Sequence, residues 1–120
     1  MKSTILFIDD EEINLFVLSR RFQESYDVLT ANTVGEAIDL IKEKNDQIRA
    51  VISDVKMPDK SGLELISEMQ DYLKNVPCFL LTGYDSTKEI EEAIHAGRVA
   101  KLFKKPFNYN EINNTLQEYV

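Results

Sequence analysis

Five side chains in this 120-residue chain are suited to chemistry on charged oxygens, and each stands where an apolar run stops. Asp9 and Asp10 follow Ile5-Leu6-Phe7-Ile8, and Asp54 follows Ala50-Val51-Ile52. Thr82 follows Cys78-Phe79-Leu80-Leu81, and Lys105 lies just past the run that ends at Phe103. Each has an ordinary explanation when taken alone. Asp9-Asp10-Glu11-Glu12 is also a good acidic start for a helix, which the helix dipole favours. Asp54 could be a turn former or a solvated loop acid, Thr82 a structural strand end, and Lys104-Lys105 a solvated pair. Their joint placement points further. If the runs are parallel strands, all five residues share one sheet edge. Three carboxylates about 5 Å apart repel by about 3 kcal/mol per pair at an effective dielectric of ~20, more than one lysine offsets. A divalent cation can offset it, and an all-oxygen acidic site suits Mg²⁺. With a fixed positive charge at Lys105 and a hydroxyl donor at Thr82, the set forms a phosphoryl clamp around an aspartate nucleophile.

The elements that must position these residues alternate strictly. Ile5–Ile8 reads as a strand covered on both faces. From Ile13, apolar residues recur at Phe16 and Val17 and, on a neighbouring stripe, at Leu15, Leu18 and Phe22, which is helical spacing. Tyr26–Thr30 is a weaker strand, expected near an edge. Thr33 with Glu36 resembles a capping box, followed by Val34, Ala37, Ile38 and Ile41 on one helical face. The third strand centres on Val51-Ile52. Pro58, which has no N–H to donate, keeps it from continuing. Pro58–Gly62 has turn chemistry, Ser61 is a candidate N-cap, and a helix is expected from Gly62 to Leu73. A fourth strand, Cys78–Leu81, precedes a helix with Ile90, Ala93 and Ile94 that stops near Gly97. A fifth strand, Ala100–Phe103, precedes a helix over 110–119 with Ile112, Leu116 and Tyr119 inward. Five strands alternating with five helices specify a parallel α/β sheet with helices on both faces and right-handed crossovers.

The bulk numbers narrow the function. The length suits one domain, 1–120, and a composition 43% hydrophobic and 29% charged is that of an ordinary soluble globular protein. A net charge of −7 argues against a direct nucleic-acid surface. No apolar run approaches the ~20 residues of a membrane span, and Met1-Lys2-Ser3-Thr4 does not begin a signal peptide. A cytoplasmic protein is expected. Cys78, the single cysteine, reads as a buried structural thiol. His95, the single histidine, reads as a surface residue. No Walker-type phosphate loop and no Ser/His/Asp set compete for the chemistry.

With this order and spacing, the motifs Ile8-Asp9-Asp10-Glu11, Asp54-x-x-Met57-Pro58-x-x-x-Gly62, Leu81-Thr82-Gly83 and Lys105-Pro106-Phe107 resemble the response-regulator receiver domains of two-component signalling over essentially the whole chain. The resemblance implies a flavodoxin-like (βα)5 fold with strand order 2-1-3-4-5. It also implies that Asp54 accepts a phosphoryl group from a histidine kinase or phosphotransfer protein. By the same resemblance, Asp10, Asp54 and the Lys56 backbone carbonyl would bind Mg²⁺ directly, Asp9 would act mainly through water, and Thr82 and Lys105 would contact phosphoryl oxygens. Lys105-Pro106 would be a cis peptide. Output would pass to a downstream protein through the face of the fourth helix, fifth strand and fifth helix, with no turnover enzyme involved. Gly83 stands where Ala is common, leaving room for the phosphate. Leu102 stands where many relatives carry a rotating Tyr or Phe, with Phe103 beside it as a substitute. Lys56 and Tyr84, two residues after Asp54 and Thr82, are expected to set the lifetime of the phosphate. Three rival classes share parts of the pattern: an Mg²⁺-dependent phosphatase with an aspartate nucleophile, a receiver-like module that is never phosphorylated, and a flavodoxin-type electron carrier. The phosphatases resemble Asp-x-Asp rather than Asp9-Asp10, and the electron carrier needs a flavin-phosphate loop where this chain has acids.

Overall fold

In the computed structural model, which describes residues 2–120, β1 (Ser3–Ile8), β2 (Tyr26–Ala31), β3 (Ile48–Asp54), β4 (Cys78–Thr82) and β5 (Lys101–Lys104) form one parallel sheet of order β2-β1-β3-β4-β5. Between and after them run α1 (Glu12–Phe22), α2 (Val34–Lys44), α3 (Gly62–Glu68), α4 (Lys88–His95) and α5 (Tyr109–Tyr119). Successive strand residues point to opposite faces, and the core divides accordingly. Ile5, Phe7, Ala50, Ile52, Phe79, Leu81 and Phe103 face α1 and α5, packing with Leu15, Leu18, Phe22, Ile112 and Leu116. Leu6, Ile8, Val51, Cys78 and Leu80 face α2, α3 and α4, packing with Ala37, Ile41, Leu65, Ile66, Ile90 and Ala93. Coverage of both faces is why the central strands are apolar without alternation.

Local chemistry starts and stops the helices. Thr33, Ser61, Thr87 and Asn108 each accept an N–H of the first turn, and Ser61 with Glu64 forms a reciprocal capping box. The Thr33 box is only half made, because Glu36 accepts from the Asn32 N–H instead. After α4, Gly97 takes φ +83°, a left-handed turn that favours glycine.

Three expectations need correction, and one open point is settled. α3 ends at Glu68 rather than Leu73: the Gln70 side chain bonds the Ile66 carbonyl, and the chain continues in turns that still bury Met69 and Leu73. β5 is shifted by one residue, to Lys101–Lys104. Tyr119 is half exposed, with its ring edge-on to Phe79 at 5.4 Å. On α1 only the stripe Leu15, Leu18 and Phe22 is buried, while Ile13, Phe16 and Val17 face solvent. Periodicity reveals a helix with two apolar stripes but not which one meets the sheet. Cys78 is buried as expected, and burial pushes its thiol up to about 12.

Candidate functional site

The carboxyl ends of β1, β3, β4 and β5 meet at one edge, with the strand order changing direction beside β1, where open α/β sheets collect ligands. Asp54 is the last residue of β3 and is buried beneath the edge. Its backbone is fixed from both sides. The Ser53 hydroxyl donates to the Asp54 carbonyl at 2.9 Å, and the Gly62 N–H donates to the Val55 carbonyl at 2.8 Å. A Cβ on Gly62 would lie 2.2 Å from the Asp54 carbonyl oxygen, so only glycine allows α3 to start this close. The glycine of the Pro58–Gly62 turn therefore seats the acid.

Asp9, Asp10 and Asp54 each offer a carboxylate oxygen within 4.8 Å of the others. Their states differ. Asp9 is 1% exposed and accepts three donors: Oδ1 accepts the Glu11 N–H at 2.9 Å, and Oδ2 accepts from Asn14 Nδ2 at 3.3 Å and Lys105 Nζ at 3.4 Å. Asp10 is exposed, and it lines a recess of about 510 Å³ with Lys56, Met57 and Pro58. Lys105 Nζ lies 3.1 Å from Asp54 Oδ2 and 3.9 Å from Glu11 Oε1. Its backbone N–H donates to the Thr82 carbonyl at 2.7 Å, and the Lys105-Pro106 bond is cis, as the resemblance implied.

The charge balance is uneven. Burial raises the pKa of Asp54. The hydrogen bond and charge of Lys105 oppose this, and the neighbouring Asp9 and Asp10 add to it. Lys105 is pulled down by its own burial, yet the bond to Asp54 and the charges of Asp54 and Asp9 hold it above its ordinary value. Lys105 is thus held in its charged form, while the Asp54 carboxylate remains under-compensated. Three convergent carboxylates with too little positive charge, all offering oxygen, fit a small hard divalent cation.

Thr82 is buried at the end of β4, one position past the Asp54–Leu81 pairing, and its Oγ1 accepts the Tyr84 N–H at 3.1 Å. Among the described residues its hydroxyl has no acceptor, so the O–H can donate to a bound oxygen. Tyr84 is exposed, and Lys56 Nζ sits 4.2 Å from its ring centroid, joining the loops that follow β3 and β4. Gly83 has open space around its Cα, consistent with the expected room. Leu102 packs on the α4 side of the sheet, whereas Phe103 is buried on the α5 side against Phe79 at 5.6 Å. Strand alternation thus prevents Phe103 from substituting for an aromatic at 102. Sequence reasoning did not single out Asn14 or Ser53. Asn14 is a polar residue on the first turn of an apolar helix, five residues past Asp9, which is a usable signal only once that helix start is known.

A family model described as the response regulator receiver domain matches residues 5–117. The chain is 30% identical to the two-component response regulator ARR10 of Arabidopsis thaliana over 97% of its own length, but it spans only 21% of that protein. It is 26% identical to sporulation initiation phosphotransferase F of Bacillus subtilis, covering 100% of this chain and 95% of that one. Among solved structures, chemotaxis protein CheY4 of Vibrio cholerae superposes with a TM-score of 0.84 at 29% identity over the whole of both chains. A receiver domain protein from Methanospirillum hungatei gives 0.86 at 26% identity, covering 98% of this chain and 93% of that one.

Proposed function

The chain belongs to the response regulator receiver family of two-component signalling, and on that premise we propose that Asp54 is its phosphoacceptor. The observation that carries this is the pairing of a buried strand-end carboxylate with a lysine 3.1 Å away, inside a cluster of three acids. Mg²⁺ would be held by Asp10, Asp54 and the Lys56 backbone carbonyl. Asp9 would act through water, since both its oxygens already have donors. Bound there, the cation would supply charge against the phosphoryl oxygens.

The protein's own groups account for the rest. An Asp54 carboxylate oxygen attacks phosphorus as the bond to the donor imidazole nitrogen breaks, the electron pair leaving with the nitrogen. Lys105 and the Thr82 hydroxyl take phosphoryl oxygens, placed by the end of β5 and by β4. The donor is a histidine kinase or a histidine phosphotransfer protein. The reaction is a single transfer and slow hydrolysis, without turnover of a free substrate. We assign residues 1–120 to one receiver domain acting in the cytoplasm. No described helix is long and apolar enough to cross a membrane. Output to a downstream protein passes through the α4–β5–α5 face, which Thr82 and Lys105 adjoin.

Acetyl phosphate with Mg²⁺ is expected to add one phosphoryl mass to the wild type and none to Asp54→Asn, as read by intact-protein mass spectrometry under neutral, cold conditions. Full labelling of the Asn variant would overturn the assignment.

A further inference from the structure

Phosphoryl transfer to Asp54 requires Lys105 to turn from the acids that hold it to the new phosphoryl oxygens. Its ammonium is shared among Asp54 at 3.1 Å, Asp9 at 3.4 Å and Glu11 at 3.9 Å. Asp9 is the buried member of that set, and a buried carboxylate that loses its cation must keep other donors or become costly. The Glu11 N–H serves Oδ1. Apart from Lys105, Asn14 Nδ2 at 3.3 Å is the only donor that reaches Oδ2 among the described residues. The same nitrogen lies 3.3 Å from Glu11 Oε1. With two carboxylates as its partners, the side-chain amide can only present its nitrogen, so its orientation is fixed by chemistry.

We propose that Asn14 is a positioning residue of the phosphoryl-transfer reaction: it holds the Asp9 and Glu11 carboxylates while Lys105 moves to the phosphoryl group on Asp54. The inference rests on Asp54 as acceptor and adds to it. A neutral amide suits the task for three reasons. It keeps a donor on Asp9 Oδ2 after the ammonium leaves, it does not repel Lys105 on its return, and it carries no charge that competes for the phosphoryl oxygens. Its seat on the first turn of α1 prevents it from following the lysine outward. Without it, Lys105 would be the sole side-chain donor to Asp9 Oδ2 and would be retained there.

The test is a mutant cycle on the full chain, with Asn14→Leu keeping the branched shape but offering no donor. The readouts are the apparent affinity for beryllium fluoride at saturating Mg²⁺, from ¹H–¹⁵N spectra, and the initial rate of phosphorylation by acetyl phosphate. Asn14→Leu is expected to lower both about tenfold (about 1.4 kcal/mol). In a Lys105→Met background the same change should have an effect below about twofold, because no lysine remains to be released. Asn14→Ala enters the same cycle if the leucine variant does not fold. Wild-type values for Asn14→Leu would overturn the proposal, as would an undiminished loss in the Lys105→Met background, which is the mark of a merely structural role. A wild type that takes no phosphoryl group would instead overturn the reading on which the proposal rests.

Discussion

Two faces of opposite character border the site. On one side α1 presents Ile13, Phe16 and Val17, which are 78%, 61% and 42% exposed, directly after the acids at 9–12. On the other side α4 carries Lys88, Glu89, Glu91, Glu92 and His95, and β5 adds Lys101 and Lys104. There Lys104 pairs with Asp85 at 2.8 Å and Lys101 reaches Glu111 at 3.8 Å. An exposed apolar patch marks a contact that excludes water, whereas a charged face gives specificity and rapid, reversible encounter. On the function proposed above, the contrast would divide two tasks of one signalling domain. Bringing an imidazole into line with Asp54 would demand a firmly oriented partner, and the exposed α1 patch beside the acids is suited to hold one. Passing the signal on demands a surface that alters with the state of the site, and the loop between β4 and α4 ties Thr82 to the charged side.

The largest effect should therefore follow from breaking the apolar side. Phe16→Asp leaves the five site residues untouched but places a charge at the centre of the patch. Loss of one anchor of this kind costs about 2 kcal/mol or more, roughly 30-fold. Phosphotransfer from a cognate phosphohistidine protein should fall by that order, while labelling by acetyl phosphate stays at the wild-type rate. An equal fall for both donors would place the defect in the fold or the site and remove the contrast between the faces.

A smaller effect concerns the edge between the faces. Asp54 has a raised pKa in the folded, metal-free protein, so folding takes up protons between its unfolded and folded values. Its contribution to stability is thus lost as pH climbs through that window above about 3.9 and stays lost at neutral pH. In chelator at pH 7, Asp54→Asn should melt a few degrees above the wild type, and the gap should close toward pH 4. Millimolar Mg²⁺ should raise the wild type by mass action and the variant much less. A wild type that melts with the variant in chelator, and does not respond to Mg²⁺, would show that the acids are not mutually strained.

Much of this arrangement was legible in the chain. Apolar runs that stop at Asp9, Asp54 and Thr82 define strand ends, and a parallel sheet collects strand ends on one edge. Tertiary choice was not legible. The two stripes of α1 are both apolar, and packing alone decides that Leu15, Leu18 and Phe22 are buried. The early end of α3 depends on a Gln70 side chain that captures a helix carbonyl, which hydrophobic spacing does not encode. Phe103 reads as a neighbour of the Leu102 position in sequence, yet strand alternation sends the two to opposite sides of the sheet. The contact of Asn14 with Asp9 is legible only once the start of α1 is known, and that of Lys56 with Tyr84, made between separate loops, leaves no local pattern.

The smallest effect belongs to that last pair, on the charged side of the site. Lys56 and Tyr84 are the residues expected from the sequence to set the lifetime of the phosphate. In the structure they meet each other, the Lys56 ammonium lying over the Tyr84 ring at 4.2 Å. Such a contact at an exposed position is worth about 0.5–1 kcal/mol, enough to bias the two loops but weak enough to open. Hydrolysis of the phosphoryl group needs a water held opposite the Asp54 oxygen, and neither an ammonium engaged with a ring nor a phenol offers a carboxylate or amide to hold it. Autodephosphorylation should therefore be slow, and the double variant Lys56→Asn, Tyr84→Glu should release phosphate about two- to fivefold faster in Mg²⁺, matching the size of the lost contact. If the two side chains act as one closure, each single variant should already give most of that gain, because opening either partner frees the other. Additive single effects would mean that Lys56 and Tyr84 influence water separately, and unchanged phosphate release in all three variants would mean that the contact lies outside its path.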